Sequence, residues 1–261
     1  MADNTRDFGT EVVYIFVGLE PKECCIHKDL ICSSSPYFDK AFNGSFAEAV
    51  SSELHLEDET SETFSAFKEF LYTEDGAASV DDFSTSQLID LYIFADKIQN
   101  DALKNMTMDY LQDNLKLTKK VLGIGQIRRI FSNTANPTTA PLRKFCGALI
   151  AYQIFCQKTD PEKIQRYFQK IPDLVLEFVK VQRMMSEKEF KLNEDPRHRH
   201  GHDGRGNARM CDFHTHEQKG QACGSISNCH EYCRMPRDYD EFWEDDDDYS
   251  DGYSSERYFH D

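Results

Sequence analysis

Hydrophobic periodicity runs along this chain as far as Leu192 and then stops, leaving residues 193 to 261 with almost no Leu, Ile or Val. A segment without those residues cannot bury enough apolar surface to offset the entropy of ordering it. Whatever globular fold the chain adopts is therefore built from the first 190 residues, which suffice for one sizeable core. The remainder, 192–261, is expected to be a largely disordered tail. Charge divides the chain in the same way. Of the formal net charge of −16, a large share falls on 236–261, where Arg237 and Arg257 face acids such as Asp245 to Asp248. The stretch 191–235 is nearly neutral.

Within the first 190 residues the local period changes twice. Residues 12–17, Val-Val-Tyr-Ile-Phe-Val, form a β-branched and aromatic run too short for a helix and apolar on both faces, which predicts a buried strand. The turn at Glu20-Pro21 leads to a second strand over 22–27, spaced as a hairpin. Ser35-Pro36 is a helix start, an N-cap followed by Pro at the first helical position, and Asn43-Gly44 ends that helix. A third strand over 52–56 carries Leu54 and Leu56 on one face. From Thr60 the spacing becomes helical, with Phe64, Phe67, Phe70 and Leu71 along one stripe. Further helices are predicted after Ser84 and over 101–115, 118–131, 140–157, 161–170 and 172–189. The core is expected to include Val13, Ile15, Leu30, Phe38, Leu54, Phe67, Leu71, Leu91 and Ala95.

One constellation is more specific than periodicity. Ile26-His27-Lys28-Asp29-Leu30-Ile31-Cys32-Ser33-Ser34-Ser35-Pro36-Tyr37-Phe38 is followed by Phe42-Asn43-Gly44-Ser45-Phe46-Ala47-Glu48-Ala49 and later by Phe70-Leu71-Tyr72-Thr73. In order and spacing these segments resemble the BTB/POZ domain, over about residues 9 to 116. The resemblance implies an α+β fold: a small three-stranded sheet packed by helices, here followed by a helical extension over 117–191. It also implies a non-enzymatic interaction module that self-associates, as a homodimer, or recruits protein partners. Phe46-Ala47-Glu48 looks like the hydrophobic-x-Glu element with which some members dock on a cullin scaffold, which would make the protein a substrate adaptor of a ubiquitin ligase. The exposed aromatic would fill a partner pocket and the carboxylate would set register. The alternative is that Phe46 covers the core ahead of the third strand.

Catalytic chemistry finds no convergent set of groups. No Ser/His/Asp triad, paired catalytic carboxylates or dinucleotide fingerprint is present. Cys24 and Cys25 lie beside His27, but a strand end with no third orienting group does not activate a thiol, and free Cys is ordinarily a small buried hydrophobe. Gly123-Ile124-Gly125 lacks the third Gly and the preceding strand of a phosphate loop; a helix kink or a tight packing point is expected there. The acidic amino terminus lacks the basic start and apolar run of a secretory signal. The longest mostly apolar stretch, Phe145 to Phe155, is too short to span a bilayer. An intracellular protein, cytoplasmic or nuclear and without membrane attachment, is the expectation, and its nine cysteines do not read as a disulfide framework.

The tail holds a second constellation, Cys211-Asp212-Phe213-His214-Thr215-His216, then Cys223 and Cys229-His230-Glu231-Tyr232-Cys233. Thiolate and imidazole at these spacings can close a tetrahedral zinc shell. Cys211, His214, Cys223 and Cys229 are the preferred ligands of a structural zinc ion, with His216, His230 and Cys233 as substitutes; a metal-free tail is the alternative. The basic residues Arg197, Arg199, Arg205 and Arg209 raise the competing reading of a nucleic-acid or chromatin regulator. The acidic tail beside them and the lack of a helix to enter a groove speak against it. Protein purified without a histidine tag is expected to carry about one equivalent of zinc by elemental analysis. Less than about a tenth of an equivalent removes the site, because a structural zinc shell of this kind is near full occupancy.

Overall fold

β1 (Val12–Val17) occupies the middle of a three-stranded mixed sheet, antiparallel to β2 (Lys22–His27) and parallel to β3 (Glu53–Leu56). The register pairs Val13 with Ile26 and Ile15 with both Cys24 and Leu54. The coordinates are a computed structural model, which describes residues 8–73, 78–134, 141–186, 195–197 and 213–215. Val13, Ile15 and Val17 point into the core while Val12 and Tyr14 are exposed. This corrects the expectation of a strand buried on both faces: helices cover one face of the sheet, and on the other Phe16 stacks on His55 at 4.7 Å.

α1 (Lys28–Ser34) follows β2 directly, and α2 (Pro36–Asn43) starts where the Ser35-Pro36 signal places it, with the Ser35 hydroxyl accepting from Phe38 N–H. The short helix α3 (Ala47–Ser51) then leads into β3. α4 (Ser61–Tyr72) is capped by Thr60, and α5 (Thr85–Lys97) begins in a capping box between Ser84 and Gln87. α6 (Asp101–Leu117) is capped by Asn100. A 3-10 turn over Ala78–Asp82 precedes α5. Each cap gives a helix-end N–H group the partner that helix geometry denies it.

Aromatic side chains pack α2, α4 and α5 together. Phe67 stacks on Phe38 at 5.7 Å and meets Phe94 edge-on at 5.4 Å, with Phe64 in contact with both Phe67 and Phe94. Of the nine expected core residues, eight are buried. Leu30 is the correction: it is only half-buried, packed at the margin of the core.

Beyond α6 come α7 (Ile124–Asn133), α8 (Pro141–Phe155), α9 (Pro161–Lys170) and α10 (Asp173–Ser186). The helix expected over 118–131 starts six residues later, at Ile124. Gly123 is its N-cap, held by Gln126 Oε1 accepting from Gly123 N–H at 3.0 Å, and Gly125 faces open space. Neither glycine is a kink or a tight packing point. That role falls to Gly147, where a Cβ would stand 2.8 Å from the Glu177 carbonyl carbon; α8 and α10 approach so closely there that only a hydrogen fits. Arg143, buried, closes the end of α7 by donating to Thr134 Oγ1 and to the carbonyls of Phe131 and Thr134.

Two triplets from the region expected to be a largely disordered tail, 195–197 and 213–215, are among the described residues and pack against helices. The Arg197 guanidinium forks onto the Asp195 carboxylate and donates to the Lys120 carbonyl, while Gln112 of α6 donates to the Pro196 carbonyl at 2.6 Å. Phe213 is buried against Phe145 of α8. Ring burial and charge-assisted hydrogen bonds order these short pieces despite the aliphatic-poor sequence around them.

Leu71 lies at the inner end of α4, 5% exposed. Leu71→Asp places a carboxylate in an apolar site at a cost of several kcal/mol. Loss of the cooperative thermal transition, followed by circular dichroism, is the expected outcome.

Candidate interaction surface

The residues that carry the family resemblance meet in space. His27, the last residue of β2, directs Nδ1 to the Tyr72 hydroxyl at 2.8 Å, and its backbone N–H donates to the same oxygen at 3.2 Å. Phe8 packs against both rings, at 5.6 Å from His27 and 5.5 Å from Tyr72. The end of the hairpin is thereby tied to the end of α4. Lys28 donates its backbone N–H to the Glu11 carbonyl and pairs its ammonium with the Glu11 carboxylate at 3.4 Å. Ser35 donates to the Ile98 carbonyl at 2.5 Å while capping α2, so one buried hydroxyl joins α2 to the end of α5. These are polar groups at element ends, each joined to a distant partner, and the buried Ser35 hydroxyl is satisfied as a buried polar group must be.

The outer edge of this frame is the turn from α2 to α3. Gly44 makes it possible: a Cβ there would collide with the Lys40 carbonyl oxygen. Phe46 follows as the N-cap residue of α3 and is 59% exposed. Phe46 is neither in the buried core nor among the partly buried residues packed against it. Glu48 sits in the first turn of α3, half-buried. Val50, near the other end of this short helix, is 91% exposed. Val50 carries no sequence signal of its own, because α3 is too short to show a period. Phe46 and Val50 are thus exposed at the two ends of α3, with Glu48 half-buried between them.

The model of the BTB/POZ domain matches residues 11–115, the span from the start of β1 to the last turn of α6. The chain carries a BTB/POZ domain. No curated protein matches the chain. A BTB/POZ domain is a protein–protein interaction module, and its fold here is the α+β arrangement of a small mixed sheet with helices.

Outside Phe46 and Glu48, the residues singled out from sequence are differently placed. Cys24 is half-buried on β2 and Cys25 exposed, while the imidazole of His27 is engaged by Tyr72. Burial pushes the Cys32 thiol up, with Asp39 adding to the effect, and burial likewise raises Cys146 and Cys156; these three remain protonated thiols at neutral pH. Of the preferred zinc ligands, His214 alone is among the described residues; Cys211, Cys223 and Cys229 lie outside them, as do His216, His230 and Cys233. His214 Nε2 is 3.0 Å from Asp109 Oδ1. Among the described residues no group of three or more His, Cys, Asp or Glu could hold a metal ion. Arg197, a candidate phosphate contact, is instead buried on Asp195; Arg199, Arg205 and Arg209 lie outside the described residues. No described helix is long and apolar enough to cross a membrane.

The tie between hairpin and α4 is measurable. Tyr72→Phe leaves the His27 N–H and ring nitrogen without their oxygen, and a loss of about 1–2 kcal/mol in unfolding free energy from urea titration is expected. A Tyr72→Phe chain as stable as the wild type would show that the hydroxyl holds nothing.

Proposed function

We propose that this protein is a non-enzymatic adaptor whose BTB/POZ domain recruits a cullin-type ubiquitin ligase scaffold through the α3 segment, with its residues Phe46, Glu48 and Val50. What carries the reading is the exposure of Phe46, because an aromatic ring held in water at the start of a short helix is the shape of an anchor awaiting a pocket. Val50 extends the apolar contact and Glu48 supplies a charge that fixes register. Self-association of the domain is a compatible second use of it, since the outer face of the sheet, with Val12 and Tyr14 exposed, is a different surface. The nucleic-acid reading loses one of its basic contacts, Arg197, to an internal ion pair. A zinc ion in the tail, if bound by Cys211, His214, Cys223 and Cys229, would be structural, with every ligand supplied by protein.

The test is capture of the scaffold from cell extract by the full chain and by a Phe46→Ala, Glu48→Ala chain of equal thermal stability. Truncating an interface anchor typically costs about 2 kcal/mol or more, so recovery is expected to fall at least about tenfold. Equal recovery by both chains removes the site, and no recovery by the wild type removes the adaptor function.

A further inference from the structure

Phe213, His214 and Thr215 are held on the face of α6 and α8 by three kinds of contact at once. The Phe213 ring is 3% exposed and meets Phe145 edge-on at 5.1 Å, with Lys144 Nζ 5.6 Å from its centroid. His214 Nε2 sits 3.0 Å from Asp109 Oδ1. The backbone of Thr215 is clamped at both ends by one side chain: its N–H donates to Asn105 Oδ1 at 2.8 Å, and its carbonyl accepts from Asn105 Nδ2 at 2.9 Å. Asn105 and Asp109 are four apart on α6 and share one face.

A side-chain amide that pairs both backbone groups of one residue reads extended chain irrespective of side chain, as a strand edge does for an added strand. The neighbouring ring pocket and carboxylate then select an aromatic residue followed by histidine. This is the division of labour of a peptide site, with backbone bonds for grip and pockets for selectivity. Ring burial, a His–Asp contact and a clamped backbone are interactions that a peptide supplied in trans can reproduce.

We propose that the surface formed by Asn105 and Asp109 of α6 and Lys144 and Phe145 of α8 is a binding site for linear peptides carrying Phe-His-Thr or a close equivalent, and that the chain's own residues 213–215 fill it in cis. The site is separate from the α3 edge and does not depend on the adaptor reading. Attachment gives the cis segment a high effective concentration, so a free peptide enters readily only when that segment is weakened.

The probe is a fluorescent peptide with the sequence of residues 210–218, Cys211 replaced by serine, titrated against full-length chains and followed by anisotropy. A Phe213→Ala chain is expected to bind it saturably, and the wild-type chain at least about tenfold more weakly. Adding Asn105→Ala to the Phe213→Ala chain is expected to weaken binding at least about tenfold, and a peptide with alanine for its phenylalanine is expected not to bind. A His214→Glu chain, which sets two carboxylates together while leaving the residues of the site intact, is expected to bind the peptide as the Phe213→Ala chain does. Absence of saturable binding to both opened chains overturns the proposal, as does binding indifferent to Asn105. Equal affinity for wild-type and opened chains overturns cis occupancy.

Discussion

The BTB/POZ part of this molecule depends on β1 being the central strand. Because β2 and β3 both pair with it, the inward residues Val13, Ile15 and Val17 enter the same buried cluster to which α1, α2, α4 and α5 contribute their apolar residues. A slip of one residue would turn Val12, Tyr14 and Phe16 inward and send the core side chains into water. Within that cluster the aromatic rings of Phe38, Phe64, Phe67 and Phe94 pack α2, α4 and α5 together. Interiors at crystal-like density transmit such constraints with little slack.

The polar signature residues act at the margins of the same frame. His27 with Tyr72, and Ser35 with Ile98, join element ends that are distant in sequence. At the turn between α2 and α3, Gly44 lets the chain pass close to the Lys40 carbonyl, and Phe46 two residues on is exposed.

Among the described residues, the helices beyond α6 extend the first core without a second sheet. Gly147 lets α8 and α10 close on each other, and Arg143 terminates α7 with its guanidinium. The surface of α6 and α8 then accepts short pieces of chain from far along the sequence, Asp195 to Arg197 at one place and Phe213 to Thr215 at another. Both use polar side chains of α6, Gln112 and Asn105, to satisfy backbone groups that burial would otherwise leave unpaired.

The strands, most helix starts, eight of the nine core residues and the BTB/POZ domain were legible from sequence, because a strand alternates every two residues, a helix every three or four, and caps use few residue types. Gly123-Ile124-Gly125 misled because glycine serves a helix start as readily as a kink, and only the position of Gln126 separates the two. Which face of β1 stays open depends on what packs against it, and β-branched residues are the same on either face. The exposure of Phe46, two residues past the close approach between Gly44 and Lys40, is likewise a matter of tertiary packing. The burial of Arg197, Phe213 and His214 depends on partners on α6, α8 and the chain near Lys120, some 70 to 110 residues away along the sequence. Local composition determined which elements form; long-range satisfaction of rings, charges and backbone groups, which no window of sequence contains, decided what docks where.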